Sequence, residues 1–147
     1  MGIFTRFKDI VGSNINAMLD KAEDPEKLLR LMIQEMEETL VELKASCAKT
    51  MATAKRIGRE LEQEEKKADN WEQRARLAVD KGRDDLAREA LSEKHVHLKR
   101  AGGLREELAR LEIIEDQARE DIGLLEEKLE NAREKQRVLV HRHTRAE

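Results

Sequence analysis

From Asp24 to about His143, apolar residues recur at helical spacing for more than a hundred positions, interrupted once, at Lys81-Gly82. A pattern that long leaves few folds open. It reads as an all-α chain: two long helices folded back into an antiparallel coiled-coil hairpin over residues 25–147, with arms over about 25–80 and 84–143 and a turn near 81–84. At about 1.5 Å of rise per residue, arms of more than fifty residues would each run roughly 80 Å. Such a shape offers no concave pocket, so function is expected along its faces and at its ends. Charged residues at 41%, aromatics at 2% and a single proline suit long helices better than a compact globule. The regular period of Leu, Ile, Met and Ala separates the chain from disordered acidic sequences.

The net charge of -3 comes from 29 basic and 32 acidic residues, closely mixed. No basic block stands out, which argues against direct nucleic-acid binding. The lone Cys47 allows no internal disulfide and suits a reducing compartment. No apolar run approaches the roughly 20 residues of a membrane span, and no signal peptide is evident, so a soluble, cytoplasmic protein is expected. His95 and His97, like His141 and His143, stand two apart and point away from each other on a helix, so no metal is expected there. Gly82-Arg83 and Gly102-Gly103 lack the pattern of a phosphate loop. Solvated carboxylates have no pocket to raise a pKa. Cys47 and Trp71 read as core residues. No cofactor and no catalysis are expected.

Residues Gly2 to Leu19 form an amphipathic helix in this reading, the first part of a segment over 1–24. At 100° per residue, Ile3, Phe4, Phe7, Ile10, Val11, Ile15, Met18 and Leu19 share one arc of roughly half the circumference. Only Asn14 intrudes. Arg6 and Lys8 lie near opposite edges of the arc, where their stems can follow apolar surface and their charges reach water. Two readings stay open: packing against protein, the chain's own hairpin or a partner, and binding in a bilayer interface with the apolar face down. Arg6 at the sixth position excludes an N-terminal myristoyl signal. Asp24 suits an N-cap and Pro25 the first helical position, and proline disfavours helix before it. The two residues therefore read as a hinge between the segment and the hairpin.

The first arm carries a seam through Leu29, Met32, Met36, Leu40, Leu43, Cys47, Met51, Ala54, Ile57, Leu61, Ala68, Trp71, Ala75 and Val79, with a charged slot near Glu64 and Glu65. Leu28, Leu31 and Ile33 exceed what a seam requires; they suggest packing against a third element ahead of the alternative, a second lipid or partner surface. Gly82 can take the left-handed conformation that ends a helix, and Asp84 or Asp85 can cap the next one. The rival is one unbroken helix that dimerises, since a lone Gly costs only about 1 kcal/mol inside a helix. Arms of nearly equal length favour the hairpin. The second seam runs Ala101, Leu104, Leu108, Leu111, Glu115, Ala118, Ile122, Leu125, Leu129, Ala132, Gln136 and Leu139, alternating three and four. Before Ala101, Leu91 and Leu98 sit one step from the extrapolated slots, which reads as a stammer at Gly102-Gly103 ahead of the alternative, a bend serving as a functional hinge.

The opening run from Met1 to Val11, Asn14 to Ala17, AEDPEK at Ala22–Lys27, LMIQEMEETLVE at Leu31–Glu42 and RDDLAREALSEK at Arg83–Lys94 together resemble the phage shock protein A family. That bacterial family is related to the vesicle-inducing protein of plastids and to the ESCRT-III superfamily. The resemblance covers essentially the whole chain and rests mainly on residues 1–44 and 83–94. It implies a membrane-stress effector, peripheral at the inner face of the bacterial inner membrane. The arc from Ile3 to Leu19 would bind anionic membrane lipid. The hairpin would inhibit the AAA+ transcription activator of the phage shock operon, making the protein a negative regulator, and phage shock membrane proteins would be further partners. Members of the family continue past the position of Glu147 into helices that drive assembly, so large rods or rings are not expected, although a homo-oligomer is. The competing reading is a purely structural coiled-coil scaffold.

Overall fold

A computed structural model describes residues 2–146 as four helices: α1 (Ile3–Gly12), α2 (Ile15–Lys21), α3 (Pro25–Asp80) and α4 (Asp84–Ala146). The long helices α3 and α4 pack against each other as a hairpin, tied by ion pairs such as Glu37–Arg133 at 3.3 Å and Glu72–Lys94 at 2.8 Å. The chain reverses where Gly82 takes φ +72°, the one positive φ among the described residues. Arg83 N–H reaches back to Ala78 O at 2.8 Å and Gly82 N–H to Val79 O at 3.0 Å, the paired bonds of a Schellman end. This satisfies carbonyls that would otherwise be orphaned at the end of α3. Neither Asp84 nor Asp85 caps α4, contrary to expectation. They occupy its first turn, where negative charge favours a helix start, and Asp85 pairs with Arg83 at 3.4 Å.

The described residues form two compact units. In the first, the chain up to Ala48 and from Asp116 onward, the N-terminal segment joins both long helices. The buried core holds Phe7 of α1, Ile15 of α2, Leu29, Ile33, Met36 and Leu43 of α3, and Leu125, Leu129 and Ala132 of α4. Ile33, read as extra, lies in the seam itself and Leu31 stays half exposed, whereas Met32, read as a seam residue, packs partly buried against the core shared with the N-terminal segment. Seam spacing runs Leu29, Ile33, Met36, Leu40, Leu43, Cys47, so Ile33 rather than Met32 takes the slot.

The second unit, Lys49–Glu115, holds the hairpin turn. Its α3 slots are Thr50, Ala54, Ile57, Leu61, Glu64, Ala68, Trp71, Ala75 and Ala78, an unbroken alternation of three and four. Met51 and Val79 therefore miss the seam by one step, and Val79 is 59% exposed. On α4 the slots run Ala87, Ala90, Lys94, His97, Ala101, Leu104, Leu108 and Leu111. There is no stammer, and α4 passes through Gly102-Gly103 as continuous helix. The apparent slip arose because Lys94 and His97 fill apolar-type slots while Leu91 and Leu98 stay exposed. These two polar slot residues of α4 each have a partner across the seam: Lys94 on Glu72 at 2.8 Å, and His97 Nδ1 on Glu64 Oε2 at 2.5 Å.

Candidate functional site

The N-terminal segment carries a long apolar arc and sits outside the two-helix hairpin, packed on it through a shared core. It is two helices rather than the single one expected. Helix α1 ends at Ser13, whose N–H and hydroxyl both bond Ile10 O. Asn14 then caps α2, its Oδ1 accepting from Ala17 N–H at 3.1 Å. An Asn that intrudes on an apolar arc is a favoured N-cap, and here the local bond wins over helix continuity. Further on, Asp24 Oδ1 accepts from Lys27 N–H at 3.2 Å and opens α3 at Pro25.

The expected arc is divided by its surroundings. Phe7 and Ile15 are buried, 8% and 6% exposed, in the core shared with α3 and α4. Ile3, Ile10, Val11 and Leu19 pack partly buried against that core. Phe4 at 60% and Met18 at 41% exposure face outward, and Lys8 is exposed. Complete burial of a Phe or Ile side chain contributes about 1.5–3 kcal/mol, so Phe7 and Ile15 anchor the segment.

Polar contacts surround these anchors. Arg6 Nη2 binds Glu42 Oε2, and its Nη1 lies 3.9 Å from Glu35 Oε1, while its Nε is buried without an acceptor. Arg6 thus holds α1 to α3 instead of lying free at the edge of the arc. From α4, Lys128 Nζ donates to Val11 O at 3.1 Å and Ser13 O at 2.6 Å. A cation on the last carbonyls of α1 also suits the negative end of that helix. Lys135 Nζ donates to Asn16 Oδ1.

Register explains the placement. Met32, Thr39, Asp121, Lys128 and Lys135 each precede a seam slot by one step and so border the seam on one side. On the other border, one step after the slots, Glu37 pairs with Arg133 and Lys44 with Glu126. The segment covers the first border: Thr39 is fully buried and Asp121 9% exposed. Glu35, Glu42, Lys128 and Lys135 were not evident as site residues from sequence. The seven-residue step from Lys128 to Lys135 beside the seam was the available signal.

Several hollows flank the segment. One of about 290 Å³ between α1, α2 and α3 is apolar, lined by Ile10, Met18, Leu31, Met32 and Met36 with Asp9 and Glu35 at its rim. Another, of about 330 Å³ beside the α1–α2 break, is polar, with Asn14, Asn16, Lys128, Asn131 and Lys135. Among the described residues no helix is long and apolar enough to cross a membrane, and no group of three His, Cys, Asp or Glu is placed to hold a metal.

Residues 2–147 match the model of the PspA/IM30 family. The membrane-associated protein Vipp1 of Synechocystis is 37% identical over 139 residues, covering 95% of this chain and 52% of that protein. A phage shock protein A homolog of Deinococcus radiodurans is 31% identical over 147 residues, 100% of this chain and 66% of its own length. Protein LiaH of Bacillus subtilis is 28% identical over 144 residues, 95% of this chain and 62% of that protein. The chain thus spans about half the length of the Vipp1 protein and more of the other two. Its hairpin, its N-terminal segment and this nearly end-to-end match agree: the chain belongs to the PspA/IM30 family.

Proposed function

We propose that the chain is a membrane-stress effector that acts by binding rather than catalysis. The N-terminal segment is the lipid-binding element, through Ile3, Phe4, Phe7, Ile10, Val11, Ile15, Met18 and Leu19, with Arg6 and Lys8 meeting anionic headgroups. The observation that carries this reading is the amphipathic segment itself, which holds both phenylalanines of the chain and presents Phe4 and Met18 to solvent. The names of the Vipp1 relatives, membrane-associated proteins, support it. The site of action is then the inner face of a bacterial inner membrane, where Asp24-Pro25 serves as the hinge between a 1–24 segment and the 25–147 hairpin. Flotation with vesicles of phosphatidylglycerol and phosphatidylcholine tests it. Wild type should float, Phe4→Glu should float less, and the chain without residues 1–24 should stay at the bottom. Equal flotation of all three would remove the segment from membrane binding.

The hairpin is the regulatory surface in this reading. It inhibits the AAA+ activator of the phage shock operon and meets phage shock membrane proteins, with homo-oligomers as a further state. ATP hydrolysis by that activator should fall as the hairpin is added, and an unchanged rate at saturation would reject inhibition. A structural scaffold is the second reading, favoured by the burial of Phe7 and Ile15 against the chain's own hairpin. It requires that loss of residues 1–24 changes particle size and leaves lipid binding as it was.

A further inference from the structure

The arc assigned to lipid and the face docked on the hairpin are made of the same side chains. Phe7 and Ile15 cannot lie in the core with Leu29, Ile33, Leu125 and Leu129 and insert into a bilayer at once. We propose that the docked arrangement is a lipid-excluded state of the N-terminal segment, closed by a polar latch of Arg6 on Glu42 and Glu35 and of Lys128 on the end of α1. The proposal rests on the lipid reading above and adds how that site is regulated.

Four observations carry it. With the segment docked, Phe4 and Met18 are the arc residues left exposed, too little apolar area for stable insertion. The groups that hold Arg6 and the end of α1, Glu35, Glu42 and Lys128, lie on α3 and α4, so docking can be weakened without touching a lipid-facing residue. The docked state carries its own penalty, because Arg6 Nε and Thr39 Oγ1 are buried without hydrogen-bond partners. Finally, only Ala22, Glu23 and Asp24 join α2 to α3, and Pro25 prevents the helices from fusing. The segment can then move as a unit about that joint. On opening, Arg6 exchanges a carboxylate for a lipid phosphate, a planar fork meeting an equivalent acceptor. Observed membrane affinity equals the intrinsic affinity scaled by the open fraction.

The test uses Lys128→Met and Glu42→Gln in the full chain, with hydrogen exchange of the α1 amides as the docking readout and flotation on phosphatidylglycerol–phosphatidylcholine vesicles as the binding readout. Lys128→Met is informative because it removes a cation. Simple charge attraction predicts weaker binding to anionic vesicles, whereas an opened latch predicts stronger binding. The expected result is faster α1 exchange and an apparent affinity raised about threefold to tenfold, the scale of losing the two Lys128 hydrogen bonds at a partly exposed site. Faster exchange with unchanged or weaker flotation overturns exclusion. Unchanged exchange in the double variant overturns these groups as the latch. If neither wild type nor any loosened variant floats while α1 exchange does accelerate, the lipid reading itself has failed, and the latch remains only a packing device.

Discussion

Replacing Glu64 and His97 tests the register of the distal hairpin and the energetics of its polar slots together. The pair spans the seam at 2.5 Å with side chains 15% and 11% exposed. The hydrogen bond from His97 is the main reason the Glu64 carboxyl is held below its ordinary value of 4.5, with Lys67, the His97 charge and Arg100 adding to it against a smaller opposing effect of burial. A hydrogen bond to a charged group contributes about 1.5–3 kcal/mol, and an exposed ion pair about 0–1. For a pair at the margin of solvent, a coupling of about 1 kcal/mol follows. Glu64→Leu and His97→Leu singly should each lower Tm by about 2–4 °C, the shift expected per kcal/mol in a chain of this size. The double Leu variant completes the heptad with apolar side chains and should melt at or above wild type, because a paired polar slot is no more stabilising than a packed apolar one. Circular dichroism melts of the four proteins give the cycle. NMR titration should find the Glu64 carboxyl raised toward 4.5 in His97→Leu. Since the folded pKa lies below the unfolded one, this contribution is complete above about pH 4.5 and is lost as pH falls through the lowered value. Zero coupling, or a double variant less stable than either single one, would refute the seam placement.

Other outcomes follow from single positions. Thr39→Val keeps shape and removes a fully buried hydroxyl without a partner, so Tm should rise by about 2–4 °C, corresponding to about 1 kcal/mol; a fall would mean the hydroxyl is bonded. Gly82→Ala meets no atom within 4 Å, so its penalty is only that of the left-handed backbone at φ +72°, about 1 kcal/mol; light scattering should still report the same particle mass, and a doubled mass would favour an opened helix that dimerises. Asn14→Ala removes the cap of α2 and should cost about 1 kcal/mol, read as roughly fivefold faster exchange of the α2 amides with α4 unchanged.

The sequence by itself determined the helical hairpin. Heptad spacing, Asp24-Pro25 at the start of α3 and Gly82 at the reversal are local signals, since each depends on backbone propensity or on the period of one helix. The apolar arc from Ile3 to Leu19 was legible for the same reason, and so was Glu64 as a charged slot. Tertiary structure alone decided which face each arm buries where the pattern is ambiguous. Ile33 displaces Met32, Ala78 displaces Val79, Ala90 displaces Leu91 and His97 displaces Leu98, and the polar slots of Lys94 and His97 are held because a carboxylate on α3 pairs with each. It also decided that the arc is docked. An amphipathic face states only that it will be covered. The cover, here Leu29, Ile33, Leu125 and Leu129 with Glu42, Lys128 and Lys135 around them, comes from residues up to 120 or so positions away in the chain, and no local periodicity encodes such a contact.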